Sequence, residues 1–432
     1  MSQTMQATLL FLEMAAVFAA AQRFFKLTTV LSLLLAAIVG SLSSGFDVPT
    51  SLHHMVEGSF TFLYIALIII TGTLFVEVQT ASGAFNAMVR ELIVRFYRYP
   101  KVLLVLLMFL VILPGALTGP GAAGVIALGG IVFPVLISMG IPLSRVVAFL
   151  AVGGVLGDFA PPINIPAMII SSGINMPYVG FFVPLLVLTV FLAVATSLFI
   201  GAKHVKGSLD LDEMLKPLPA VPENMTGFRI IAPLAVFAIL MIVARVLPHQ
   251  VPPMGVPLMF LIGTAVALSL TARINFLKLS SEVIKRTLPV TGILIAVGPL
   301  VQVMSATGVK GLFVITAITV PVLVLYAALF IGLPMSGSVL GTLGAASILG
   351  VPFMLALLGR DPIIATIGIS LIAALATLTP PTAITGKAAI MVTDFKGNYS
   401  TVLRHCLPAL LVIDVIGILM VIFADDLSFL IN

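Results

Sequence analysis

Residues 154–166 read GVLGDFAPPINIP. An acid, Asp158, three prolines, Pro161, Pro162 and Pro166, and Asn164 stand inside a long apolar stretch, where an unbroken helix would cost least. A Pro-Pro pair removes two backbone donors and strands the carbonyls one turn earlier, a cost of several kcal/mol in hydrocarbon. Such a break persists only against protein or water. It also exposes carbonyls and half-helix ends whose aligned dipoles leave partial charges, and these are the groups that coordinate a dehydrated cation or an anionic substrate. A plain proline kink is the competing reading of any one break taken alone.

The surroundings are those of a membrane protein. The chain has 432 residues, 60% of them hydrophobic and 9% charged, with no Trp and one Cys, and its mean hydropathy is +1.26. No soluble globular domain has that composition. Runs such as 58–76, 181–200, 229–247, 289–304 and 407–423 are long enough, or nearly so, to cross about 30 Å of hydrocarbon as helices. They are apolar on every face, which a transmembrane barrel strand is not. The fold class expected is therefore all-α and polytopic. The first apolar stretch holds Glu13 and is followed by Arg23 and Lys26, with no basic segment before it, so it reads as a retained helix rather than a signal peptide. Cys406 is alone and forms no internal disulfide. The net charge of +5 is scattered among loops, which argues for loop anchoring rather than nucleic-acid binding.

Lys and Arg in the short loops give an orientation. Arg23 and Lys26, then Arg90, Arg95, Arg98 and Lys101, mark cytoplasmic segments, and the intervening 45–57 has neither Lys nor Arg. Segment 202–229 reads inside, 248–254 outside, and 273–286, with Arg273, Lys278, Lys285 and Arg286, inside. Both termini are thereby expected outside.

The chain also repeats itself. Residues 119–142 and 338–362 share small residues followed by a proline, and each is followed by an apolar helix ending in a Pro-Pro break, FAPPINIPAMII (159–170) and LTPPTAITGKAAI (378–390). Pro161 and Pro380 stand 219 residues apart, and Pro134 and Pro352 stand 218 apart. TASGAFNAM (80–88) likewise resembles SATGVKGLF (305–313). By the charge pattern the third crossing runs inward while its counterpart at 289–306 runs outward, so the copies are inverted. The first repeat is read as 1–205, with a hairpin at about 101–140 and a broken helix at about 142–176. A cytoplasmic loop at 206–226 leads to the second repeat, 227–432, with a hairpin at about 319–359 and a broken helix at about 362–393. Inverted halves with Gly/Pro-interrupted segments at matched positions point to a secondary transporter whose site lies between them.

The hairpin tips are read at Thr118-Gly119-Pro120-Gly121 and Ser336-Gly337-Ser338, each facing a Pro-Pro break. Whether a hairpin re-enters or crosses twice is left open by the charges. Asp158 is either a cation ligand or a proton carrier, or pairs with a nearby cation for structure. Lys387 either pairs with Asp158, attracts an anion, or snorkels to an interface. Ser336, Ser338, Thr342, Thr379, Thr382 and Thr385 offer neutral oxygens suited to Na+, unless they bond back to helix carbonyls. Glu13 and Glu77 are read as interfacial, His53 and His54 as surface histidines, and His405 and Cys406 as packing residues. Two amphipathic stretches, 84–98 and 274–287, are expected to lie along the membrane interface. No Walker A loop and no nucleophile–His–acid set occurs, so neither ATP hydrolysis nor another enzymatic activity is expected.

The run Gly-Gly-x-x-Gly then Pro-Pro (153–162), behind a small-residue hairpin tip, and the later LATLTPPTAI (375–384), resemble the large membrane subunit of tripartite ATP-independent periplasmic (TRAP) transporters. The resemblance covers nearly the whole chain. It implies an elevator-type transporter with two helical hairpins and two broken helices in the moving domain. The implied activity is Na+-coupled import of organic acids such as C4-dicarboxylates, with no other cofactor, in the bacterial inner membrane. It also implies two partners, a periplasmic substrate-binding protein and a small four-helix membrane subunit. A stand-alone proton- or Na+-coupled relative and a passive channel are the alternatives. Carried over by the resemblance, Thr118, Gly119, Pro120 and Gly121 with Pro161 and Pro162 match one cation site, and Ser336, Gly337 and Ser338 with Thr379, Pro380, Pro381 and Thr382 match the other. The family usually has serines at the first tip and an apolar residue where Asp158 stands. Asp158 is accordingly expected to replace that Na+ site or to bring proton coupling.

Overall fold

The computed structural model describes residues 3–222, 225, 227–247, 250, 252, 254–271 and 274–431. Met1, Ser2, Asn432, part of the 206–226 loop and Arg273, one of the charges used for orientation, lie outside the described residues. The all-α, polytopic architecture expected from the sequence is what the structure shows, with nine helices among the described residues long and apolar enough to cross a membrane.

Seven segments follow one another in the first half: α1 (Gln3–Arg23), α2 (Thr29–Ser43), the pair α3 (Val48–Phe60) and α4 (Leu63–Ala81), α5 (Ala84–Phe96), a hairpin of α6 (Pro100–Thr118) and α7 (Gly121–Ser138), a broken helix of α8 (Leu143–Phe159) and α9 (Ile165–Gly173), and α10 (Phe182–Gly201). A short α11 (Leu211–Leu215) lies in the connection. The second half repeats the order: α12 (Gly227–Val246), α13 (Val256–Leu270), α14 (Phe276–Ala306), α15 (Val309–Thr319), a hairpin of α16 (Val322–Ala327), α17 (Leu333–Ala345) and α18 (Val351–Ala356), a broken helix of α19 (Pro362–Ala374) and α20 (Ile384–Thr393), and α21 (Tyr399–Ile422). Local chemistry sets the helix starts. Thr28, Asp47, Asn275 and Asp361 accept from the backbone amides of Leu31, Thr50, Lys278 and Ile363, satisfying orphan donors of the first turn.

The halves interlock. α20 packs on α7 and α8 of the first half, and α9 packs on α17, α18 and α19 of the second. The two hairpins and two broken helices therefore form one body, joined by α10 and α21. Every residue from Val146 to Phe159 and from Ile364 to Ala374 is buried, as helices apolar all round must be. The remaining long helices pair among themselves, α14 against α2, α3 and α4, and α12 and α4 against α13.

Three local features differ from the sequence reading. Residues 274–287 do not form a separate interfacial arm; they begin α14, which runs unbroken for 31 residues, and the arm of the second half is α15, which follows the crossing as α5 does in the first. His53 and His54, read in an outward loop, lie within α3. The turn of the second hairpin falls at Gly341, whose φ of +75° breaks the helix, so Ser336, Gly337 and Ser338 lie about one turn before the tip. A left-handed backbone needs a glycine, and the serines fit the helix.

Candidate functional site

α8 ends at Phe159, and the break is closed by hydrogen bonds from several elements, as buried backbone requires. Asn164 is fully buried. Its Oδ1 accepts from the Ala167 amide at 2.9 Å, capping α9. Its Nδ2 donates to the Phe159 carbonyl at 3.1 Å and to Ser370 Oγ of the second half at 3.0 Å. The Tyr178 hydroxyl accepts from the Asn164 amide at 3.3 Å and donates to the Pro162 carbonyl at 3.4 Å. The Ile163 amide donates to the Ala116 carbonyl of α6 at 3.2 Å, fixing the hairpin tip beside the break. Thr118 turns inward on its own helix, donating to the Pro114 carbonyl at 2.8 Å.

The second break is built the same way. The Thr382 amide donates to the Ser338 carbonyl at 3.2 Å. In both halves the donor is two residues past the first proline, and the acceptor is three residues before the positive-φ glycine of the tip, Gly119 or Gly341. Both hairpins therefore end against a break of their own half. Thr379 Oγ donates to the Ala376 carbonyl at 3.1 Å and lies 3.4 Å from the Pro334 carbonyl. Ser336 and Ser338 donate back to the Leu333 and Met335 carbonyls. Lys387 does not meet Asp158: its Nζ donates to the Pro381 carbonyl at 2.9 Å, covering a carbonyl that the break exposes. Thr342, Thr382 and Thr385 keep side-chain oxygens with no hydrogen-bond partner among the described residues.

Asp158 joins the halves. Its Oδ1 accepts from the Gly121 amide at the start of α7 at 2.6 Å, and its Oδ2 lies 2.9 Å from the Thr377 hydroxyl. A carboxylate at a helix N-terminus meets the positive end of the helix dipole. Asp158 and Thr377 are 219 residues apart, the spacing of the Pro-Pro pairs, so they occupy equivalent positions. Equivalent positions touch only on the axis that relates the two copies. The Thr377 hydroxyl has one hydrogen and two acceptors within reach, Asp158 Oδ2 and the Ala374 carbonyl at 2.8 Å. It donates to an ionised Asp158; beside a protonated one it turns to Ala374 and accepts. Both charge states of the carboxyl are thus hydrogen-bonded without movement of the backbone.

The two tips enclose a cavity of about 300 Å³. Gly119, Pro120, Asp158 and Pro166 line it from the first half, and Gly341, Thr342, Thr377 and Thr385 from the second. Thr73 of α4 and Arg286 and Thr287 of α14 close the other side, and the remaining walls are aliphatic, among them Ile69, Ile126, Ile293 and Leu340. Arg286 is ion-paired with Glu77 of α4, which the sequence had placed at an interface. Three grooves are larger, one of about 800 Å³ between α1, α2 and α15 and two of about 750 and 500 Å³ between α10 and α12, and the polar groups of the two breaks do not converge in any of them. The described residues hold no cluster of three or more His, Cys, Asp or Glu fit for a metal ion.

No family model matches the chain, and no curated protein matches it. Among solved structures, the YdaH transporter of Alcanivorax borkumensis, described as having an unusual topology, superposes with a TM-score of 0.59 over 88% of this chain and 89% of that one. The chain has the fold of a membrane transporter. At 16% sequence identity the likeness is one of fold, and it does not single out tripartite systems.

Within this transporter fold the structure draws Asp158, Asn164, Thr342 and Thr385 to the centre, Asn164 through the buried network behind the cavity. Pro161, Pro162, Pro380 and Pro381 shape the breaks. Ser336 and Ser338 sit a turn away. Sequence reasoning missed Thr377, though its 219-residue offset from Asp158 was available. It also missed Arg286, counted only as a loop charge, and Asp414, an acid inside the run 407–423.

Proposed function

We propose that this chain is a secondary active transporter that moves small organic anions across a bacterial inner membrane, driven by a cation gradient and working as an elevator. The observation that carries the reading is Asp158, a carboxyl on the inter-repeat axis, bonded to both halves and lining the cavity between the tips. A group that is hydrogen-bonded in either charge state suits the reversible uptake of a cation. Na+ is the expected coupling ion, held by Asp158 with the neutral oxygens of Thr342, Thr382 and Thr385 and the carbonyls of the breaks; a proton on Asp158 is the variant. The substrate is a small carboxylate of the C4-dicarboxylate kind. Arg286 is the cation that draws it in, and Glu77 competes for the same guanidinium and so favours release. Both termini face outward.

The finer reading, the large subunit of a TRAP system with a four-helix membrane partner and a periplasmic binding protein, is supported by the motifs at 153–162 and 375–384. Uptake into proteoliposomes with and without Na+ or proton gradients, with and without those partners, tests each part. Gradient-driven, saturable uptake that falls at least ten-fold in Asp158→Asn is the expected result. Uptake indifferent to both ions sinks coupling, and unsaturable ion currents point to a channel. Uptake that needs no added protein identifies a stand-alone carrier. Glu77→Gln is expected to tighten substrate binding while slowing release.

A further inference from the structure

LLVLTV (185–190) on α10 and LLVIDV (410–415) on α21 are one segment in two copies, and they set Thr189 and Asp414 at the same position. Both are buried, at 4% and 7% exposure. Both hold a buried oxygen, Thr189 Oγ and Asp414 Oδ1, with no hydrogen-bond partner among the described residues. A hydroxyl is left there at modest cost, whereas an unpaired carboxylate in an apolar interior is far more expensive. An acid in place of the threonine therefore calls for a function.

Depth adds to this. α21 runs beside α8, with Cys406 Sγ 3.9 Å from the Ala148 carbonyl and His405 Nε2 3.3 Å from Ser144 Oγ. Two further turns, a rise of about 12 Å, bring α21 to Asp414, level with the end of α8 that carries Asp158. Just beyond, Gly417 packs on Gly368 and Ile372 of α19, the helix that leads to Thr377. α21 packs against α8, α10, α19 and the π turn Ala328–Gly332. α10 and that turn carry no titratable group. α8 carries Arg145, which donates to the Ile200 carbonyl near the opposite end, and Asp158, which is bonded to Gly121 and Thr377. α19 begins at Asp361, which caps its own first turn. On α21 itself Tyr399, Arg404, His405 and Cys406 lie at the start, two or more turns away. Among the described residues no ion pair reaches Asp414.

We propose that Asp414 is a proton-binding site of the transporter distinct from the cation site at Asp158: one oxygen of its carboxyl takes a proton from one aqueous side and releases it to the other during the cycle. A proton needs no shell of further ligands, and so fits a buried position that supplies none. The role in coupling rests on the transporter reading; the proton uptake does not.

The test treats the purified full-length chain with dicyclohexylcarbodiimide, which reacts with protonated carboxyls in apolar surroundings, and maps the adducts by peptide mass spectrometry. Labelling at Asp414 is expected in the native chain and in Asp158→Asn, falling about ten-fold per pH unit above its midpoint. In proteoliposomes driving succinate, Asp414→Asn is expected to move one proton fewer per substrate by reversal potential. Should that variant not fold, Asp414→Thr copies the residue of the other half. Failure of Asp414 to label at every pH at which the chain is folded overturns the site, as does suppression of labelling by Na+ at fixed pH. An unchanged proton count in a folded variant overturns its part in coupling. Intact labelling without succinate transport counts against the transporter reading and leaves the proton site standing.

Discussion

The two helix breaks share one backbone device and differ in chemistry. In the first, Asn164 and Ile163 are buried and the side chains close on one another, with Asp158, Asn164 and Tyr178 tying α8, α9 and the second half together. In the second, Pro380 and Pro381 are exposed, Lys387 covers a carbonyl, and hydroxyls replace the charge. The hairpin tips differ in the same sense. A Cβ at Gly121 would overlap the Gly154 carbonyl, whereas one at Gly341 would meet nothing within 4 Å. The first break is closely packed and carries the acid. The second, with π turns at Ala328–Gly332 and Ala346–Gly350 on its hairpin, is more open. One scaffold thus gives a tightly packed tip on one side and a loosely packed one on the other.

Substitutions at the two tips are the most direct way to break that contrast. Gly121→Ala is expected to cost about 3 kcal/mol or more, because backbone rather than a flexible side chain stands in the way, and it should show as loss of folded, monodisperse protein. Gly341→Ala pays only for its positive-φ backbone, a conformation essentially confined to glycine, roughly 1–3 kcal/mol. Equal losses in a thermal-stability assay would erase the difference. Next is Asn164→Ala, which removes a helix cap, a bond to the Phe159 carbonyl and the link to Ser370, for about 2–4 kcal/mol. Removal of a polar group from the second break, Thr382→Val, should cost well under half of that, since its hydroxyl has no partner among the described residues to lose. Thr377→Val leaves one Asp158 oxygen without its donor and is expected to destabilise by about 1–3 kcal/mol, while Thr377→Ser keeps the bond and most of the transport. If valine and serine behave alike, the hydroxyl has no part in charging Asp158.

The smallest effect lies outside the membrane. Arg360 and the Asp361 amide donate to Asp425 at 3.0 and 2.7 Å. The Arg360 hydrogen bond, with that of Asp361, holds the Asp425 carboxyl below its usual range. A depressed carboxyl stabilises the fold above its unfolded value and loses that contribution as pH falls through the folded value. Asp425→Asn should therefore lower stability slightly at neutral pH and converge on the native chain below about pH 4. An acid titration that keeps the two curves parallel would show the pair to be inert.

The sequence made the breaks legible because proline acts locally: Pro161, Pro162, Pro380 and Pro381 disrupt a helix whatever surrounds them. It misplaced the second tip because Ser336-Gly337-Ser338 has the composition of a turn, and only the φ of Gly341 reveals where the chain reverses. The arm at 274–287 was misjudged because amphipathicity over a few turns fits both an interfacial helix and the polar end of a long crossing such as α14. Arg286 could be counted as a loop charge but not seen at the cavity, since its helix brings it opposite Asp158 from far along the chain.

What the sequence by itself determined is the class of molecule: composition dictates helices in a bilayer, and a repeat offset of about 219 residues dictates two copies with matched interruptions. Only the tertiary structure decided which groups meet, placing Asp158 against Thr377 on the axis, Lys387 on Pro381, and Arg286 with Glu77. The physical reason is range. Hydropathy and proline act on the residues that carry them, whereas a hydrogen bond between residues hundreds of positions apart depends on how whole helices pack, and that is settled by the fit of one surface against another.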